Sequence, residues 1–280
     1  MLKFWLWFTA LSGLGIVVIL SIGTWLVSPK KVVVGEPPHD LAMESVLLPT
    51  SNVAAWYHQG VIEQGGVLLL HSIGANRLEM LGRARFLIKA GYSVLMIDLP
   101  AHGESAGQHI SFGYLESHSV VQAITYLHHR LAHKSIGVIG VSLGGASTLL
   151  GQGPIAVNAL VLESVYSTIE MAIANRIAFY LGDWARPFSV LLSWQLAPRL
   201  ALDPNLLAPI RVISQLTSPV LIMAGDADQR TLLSETKALY QQAAMPKALW
   251  VVAGAKHENL YQYAPEQYEA KVLDFFQRFL

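Results

Sequence analysis

Gly140-Val141-Ser142-Leu143-Gly144-Gly145 is the stretch on which the reading of this chain turns. The apolar run Ile136–Ile139 in front of it has the character of a buried strand. Leu143–Leu150 behind it has that of a helix. The stretch is therefore a G-x-S-x-G motif at a strand-to-helix turn, the context its chemistry requires. The serine sits on a sharp, strained turn, and the flanking glycines let neighbouring chain pass close by. Such a turn lifts the hydroxyl above the sheet edge. The helix N-terminus then offers the Leu143 backbone N–H to a developing oxyanion.

A serine hydroxyl is a weak nucleophile until a base takes its proton. His257, in Gly254-Ala255-Lys256-His257-Glu258, follows the apolar run Leu249–Val252 near the carboxyl end and suits that role. An acid must orient the imidazole. Asp228, in Ala224-Gly225-Asp226-Ala227-Asp228, follows the run Val220–Met223 and is the preferred candidate. Asp226 and Glu163 are its rivals, the first two residues away, the second at the end of Ala159–Leu162. A second oxyanion donor is expected in the loop His71-Ser72-Ile73-Gly74, at the Ile73 N–H.

Working outward, short apolar runs alternate with helical patterns. Val67–Leu70 and Val94–Ile97 read as further strands. Asn76–Ala90, Glu116–Leu131, Thr231–Ala243 and Pro265–Leu280 read as helices. Fully apolar strands alternating with helices predict an α/β fold with a mostly parallel sheet covered on both faces. Residues 166–215 break the rhythm, with Pro187, Pro198, Pro204 and Pro209 among many Leu, Ala and Trp residues. That length is improbable for a structureless loop and predicts a small helical cap.

The amino end reads differently. Phe4–Val27 is a run of 24 residues without a charge, bordered by Trp5, Trp7 and Trp25. A run of about 20 suffices to cross a bilayer core. The expectation is a single-pass anchor over residues 1–28, contacting membrane lipid, then a linker over 29–43 and a catalytic domain over 44–280. A cleaved signal peptide is the competing reading. It is disfavoured by the length of the run and by the poor cleavage site Thr24-Trp25-Leu26. Lys3 with the α-amino group balances Lys30 and Lys31, so the side of the membrane stays open.

Composition narrows the function. The chain has 280 residues, 53% hydrophobic and 14% charged, with 19 basic and 19 acidic side chains. A nucleic-acid partner needs a positive footprint that this balance lacks. With no cysteine, a thiolate zinc site, an iron–sulfur cluster and a disulfide framework are excluded. His128, His129 and His133 lie together, but no His-Glu-x-x-His pattern accompanies them. They read as a solvated helix face rather than a metal site.

These stretches together resemble the α/β-hydrolase family over roughly residues 44–280. His71-Ser72-Ile73-Gly74 is similar to the family's His-Gly-x oxyanion loop, with Ser72 in place of Gly. Asp98-Leu99-Pro100-Ala101-His102-Gly103-Glu104-Ser105 is similar to its Asp-x-x-Gly-His-Gly-x-Ser loop, with Ala101 in place of Gly. The order Ser…Asp…His is the one that architecture uses. The resemblance implies an eight-stranded, mostly parallel sheet and a helical cap at 166–215. It implies a structural role for His102. It also implies a catalytic Ser142, Asp228 and His257 that need no cofactor and no metal. The expected activity is hydrolysis of a small-molecule carboxylic ester or thioester, with an acyl-chain or lipid-like substrate suggested by the apolar insertion. A peptidase or amidase with the same triad is one alternative, and a non-catalytic binding protein on the same fold is the other. The insertion holds only Glu170, Asp183 and Asp203 as acids, few for gripping a substrate amine.

Overall fold

The protein is described by a computed structural model covering residues 1–49, 51–61 and 64–280, with side chains of the first helix described from Gly13 onward. Eight strands form the main sheet: β1 (Glu44–Leu48), β2 (Val53–His58), β3 (Gly66–Leu70), β4 (Ser93–Ile97), β5 (Ile136–Val141), β6 (Ala159–Glu163), β7 (Val220–Gly225) and β8 (Lys247–Val252). Their spatial order is 8-7-6-5-3-4-2-1. Only the pairings β1–β2 and β2–β4 are antiparallel, which makes β2 the one strand running against the rest.

Strands β3–β8 coincide with the six apolar runs read from the sequence, and all of them but the edge strand β8 are buried along their whole length. Alternate residues of each face opposite sides. Leu68, Leu70, Leu95, Val138, Leu160 and Ile222 join one core. Val67, Leu69, Met96, Ile139, Val161 and Met223 join the other. A strand buried on both faces has no polar side, which is why these runs show no alternation.

The helices are α1 (Leu2–Val27), α2 (Leu81–Lys89), α3 (Glu116–Arg130), α4 (Leu143–Leu149), α5 (Ile169–Leu181), α6 (Ser189–Ser193), α7 (Leu196–Leu200), α8 (Pro209–Val212), α9 (Leu233–Gln242), α10 (Leu260–Tyr263) and α11 (Pro265–Phe279). Val120, Ile124 and Leu127 of α3 cover the first face. Phe86 and Leu87 of α2, with Val272 and Phe276 of α11, cover the second. The segment predicted as one helix over Asn76–Ala90 is a 3-10 turn, Arg77–Met80, followed by α2. Asn76 caps the turn through Leu78 N–H at 3.0 Å, and Asp98 captures the Arg77 N–H at 2.7 Å.

Two expectations concern the amino end. Among the described residues no helix is long and apolar enough to cross a membrane, so the spanning anchor gains no support. The side chains of residues 2–12, on which much of that expectation falls, lie outside the described set. Part of the helix is held by protein. α1 packs on α6 and α7, Gln195 donates to the Ile19 carbonyl at 3.3 Å, and Arg199 donates to the Leu20 carbonyl at 2.9 Å. The stretch 29–43 is tied down as well. Lys30–Lys31 pairs in parallel with His102–Gly103, and Glu104 accepts the Val34 and Gly35 N–H groups at 3.0 and 3.1 Å.

The topology places the site. β3 is flanked by β4 on one side and β5 on the other, so the loops after β3 and β5 diverge at the carboxyl edge of the sheet. A crevice opens at such a switch point. His71 follows β3, Ser142 follows β5, Ser164 follows β6, Asp226 follows β7 and Ala253 follows β8.

Candidate active site

Ser142 has φ 49° and ψ −105°, a conformation that costs a non-glycine residue about 1–2 kcal/mol. The surrounding chain holds it there. Its N–H donates to the Glu163 carbonyl at 2.8 Å across from β6, and its carbonyl accepts the Ala146 N–H at 2.9 Å. The flanking glycines are required by close approach. A Cβ at Gly140 would stand 2.6 Å from the Gly145 backbone, and one at Gly144 would overlap the Leu70 carbonyl. The Ser142 side chain sits at the surface limit of burial, with no hydrogen-bond partner for its hydroxyl among the described residues.

Asp228 is buried, and each of its oxygens is occupied. Oδ1 accepts the N–H groups of Arg230 and Thr231 at 2.8 and 2.9 Å. Oδ2 lies 2.8 Å from His257 Nδ1. A carboxylate accepts, so Nδ1 carries the proton and Nε2 presents its lone pair. The two rival acids are spent elsewhere. Exposed Asp226 accepts the Gly254 N–H at 2.6 Å. Glu163 is buried against Arg83, whose Nε and Nη2 donate at 2.9 and 2.5 Å, and also receives the Tyr268 hydroxyl. Of the three candidates, Asp228 is the one joined to His257. The structure does not form a hydrogen bond between His257 and Ser142; such contacts often tighten only with substrate bound.

Leu143 is the first residue of α4, so its N–H has no partner within the helix. The loop carrying Ile73 is braced at both ends. His71 is fully buried, with Nδ1–H donating to the Ser72 carbonyl at 2.8 Å and Nε2 accepting the Leu99 N–H at 2.9 Å. Burial, reinforced by His102 and Arg77, pulls its pKa down to about 3, so the ring is neutral. Glu79 receives both the Ser72 N–H at 2.7 Å and the Ser72 hydroxyl at 3.0 Å. This explains serine in the place of glycine: the hydroxyl is a second tether. Glu79 is a site residue that sequence reasoning missed, and no motif spacing singles it out.

The neighbouring loop is organised by Asp98, which is buried and ion-paired with Arg77. It accepts the Glu104 N–H at 2.9 Å, and a Cβ at Gly103 would overlap its carboxylate. Ala101 takes φ 63° where the resemblance expects glycine, so the left-handed turn is kept with a small penalty. His102 Nδ1 donates to the Pro100 carbonyl of its own loop at 3.0 Å. Among the described residues no group of three or more His, Asp or Glu side chains is placed to hold a metal ion.

The profile described as "Alpha/beta hydrolase family" matches residues 67–271. The chain is 24% identical over 215 residues to the uncharacterised protein YqkD of Bacillus subtilis, covering 75% of this chain and 70% of that one. Among solved structures it is similar to the Pyrococcus furiosus esterase Pf2001, with TM-score 0.74, 23% identity, and coverage of 91% of this chain and 98% of that one. It is also similar to a bacterial membrane phospholipase A described as a virulence factor, with TM-score 0.60, 16% identity, and coverage of 99% and 98%. At these identities the structural likenesses show the fold alone.

Proposed function

Since the chain belongs to the alpha/beta hydrolase family, we propose that it is a serine hydrolase that cleaves a carboxylic ester or thioester. The observation that carries this reading is the Asp228–His257 pair, 2.8 Å apart, at the same carboxyl edge of the sheet as a serine held at φ 49°. Ser142 Oγ attacks the acyl carbonyl while His257 Nε2 takes its proton. Asp228 holds the imidazole in the right tautomer and stabilises its charged form. The Ile73 and Leu143 N–H groups meet the oxyanion, a contribution of about 3–4 kcal/mol per donor in comparable sites. His257 returns the proton to the leaving oxygen or sulfur. Water, activated by the same imidazole, then releases the acid from Ser142.

The helices α5–α8 serve as the cap in this reading. Phe179, Tyr180, Trp184, Phe188 and Trp194 leave it broadly apolar at the surface, which supports an acyl-chain or lipid-like substrate. Leu14, Val17, Leu20 and Trp25 of α1 are exposed beside it. We extend the proposal to contact of this face with membrane lipid; flotation of the full chain with liposomes is the expected outcome, and recovery in the pellet-free bottom fraction would count against it. The catalytic proposal is tested by hydrolysis of 4-nitrophenyl esters and acyl thioesters of graded length. Ser142→Ala should abolish turnover, and chains longer than acetyl should be preferred. A preference for acetyl would remove the acyl-chain part, and turnover surviving in Ser142→Ala would remove the serine mechanism.

A further inference from the structure

Two arginines near the acid loop, Arg176 and Arg230, form no ion pair among the described residues. Arg230 stands two residues beyond Asp228, and its own N–H donates to the Asp228 carboxylate at 2.8 Å. Its guanidinium lies over the Phe179 ring of α5, 4.8 Å from the ring centre. Its carbonyl accepts the Asn175 amide of α5 at 3.3 Å. Helix α5 and the acid loop are thus in direct contact, and Arg176, adjacent to Asn175, is partly buried at that junction.

Every other arginine of the described residues has a carboxylate or carbonyl partner. Six are ion-paired: Arg77, Arg83, Arg85, Arg130, Arg186 and Arg278. Arg199 and Arg211 donate to carbonyl oxygens. Arg176 and Arg230 have neither a carboxylate nor a carbonyl acceptor among the described residues. They also lie in each other's field. Burial and the Arg230 charge pull Arg176 below the usual arginine range, while Tyr180 and Asp228 oppose this. Arginine remains protonated, so two positive charges stand together without an ion-pair partner among the described residues. Asp228 offsets them only in part: it carries one negative charge against two positive ones, and both of its oxygens are bonded to His257 and to backbone N–H groups rather than to either guanidinium.

We propose that Arg176 and Arg230 form the recognition site for an anionic group, a carboxylate or a phosphate, carried by the ester substrate. Guanidinium groups suit either oxyanion through paired N–H donors. A bound anion would also relieve the repulsion between the two charges and ease formation of the His257 imidazolium beside them. This inference rests on the hydrolase reading and names the substrate's charge, which that reading leaves open.

The test compares matched esters. One arm uses 4-nitrophenyl pentanoate against the 4-nitrophenyl monoester of glutaric acid, which adds a carboxylate. The other uses 1-octanoylglycerol against 1-octanoylglycerol 3-phosphate. The readout is the ratio of kcat/KM for the anionic over the neutral member. The native enzyme should favour the anionic member of at least one pair by about tenfold or more, expressed in KM, and the preferred pair identifies the anion. That ratio should collapse toward one in Arg176→Met and Arg230→Met, persist in Arg176→Lys, and fall in about 1 M salt, where charges are screened beyond roughly 3 Å. Thermal unfolding of each variant checks that it is folded. A native ratio near one in both arms, or a ratio unchanged in the folded methionine variants, would overturn the proposal and leave the hydrolase reading standing. Cleavage of neither member of either pair would overturn both.

Discussion

His71 offers a prediction whose size follows from its surroundings. The ring is fully buried, and its Nε2 accepts the Leu99 N–H at 2.9 Å. A proton on Nε2 would set two donors against each other inside the core, beside Arg77. Its pKa in the folded protein is accordingly about 3, whereas in the unfolded chain it is near 6.5. Between those values the unfolded chain binds a proton that the folded one refuses, so stability falls as pH drops through the window. From pH 7.5 to pH 5 the loss due to His71 is about 2 kcal/mol, because pH 5 still lies above the folded value. Urea unfolding of the native protein and of His71→Gln, followed by tryptophan fluorescence at both pH values, measures this. Glutamine can keep an acceptor for Leu99 but does not titrate, and all other groups are common to the two proteins. The native protein's advantage over the variant should shrink by about 2 kcal/mol on going to pH 5. An advantage that stays constant or widens would refute the reasoning.

Other outcomes follow from the same geometry. Asp228→Asn should lower kcat by about four orders of magnitude, because the imidazole tautomer is lost, while Asp226→Asn should stay within a few fold in the same ester assay. Arg83→Met should strand the buried Glu163 carboxylate and cost about 3–5 kcal/mol in urea unfolding, with kcat falling too, since the Glu163 carbonyl holds the Ser142 N–H. Gly140→Ala should push the Gly145 backbone from its place 2.6 Å away and cut kcat about 100-fold, measured beside a circular dichroism spectrum that stays native.

Much of this was legible in the chain because central parallel strands have no polar side. Strands β3–β8 announce themselves as apolar runs, and the Ser142 turn lies between one of them and its helix. The edge strand β1 and its antiparallel neighbour β2 do not. Glu44–Leu48 and Val53–His58 carry Glu, Ser and His and pair only with each other and with β4, so nothing local marks them. The choice of Asp228 over Asp226 and Glu163 also needed three dimensions. Arg83 and Tyr268, 185 residues apart, claim Glu163, and no local spacing predicts that. The same holds for Glu79 under Ser72, and for Arg176 beside Arg230. At the amino end an uncharged run suggested a span. Gln195 and Arg199 contact its backbone from the far side of the chain, a long-range packing that hydropathy cannot foresee.

The central claim is that Ser142 is an activated nucleophile, and covalent labelling tests it most directly. The folded full-length protein in detergent is treated with an alkyl fluorophosphonate and read by intact mass and peptide mapping. The account predicts one adduct, on Ser142, absent in Ser142→Ala and slowed strongly in His257→Gln. A folded native protein that takes no adduct, or an adduct that persists in Ser142→Ala, would contradict it.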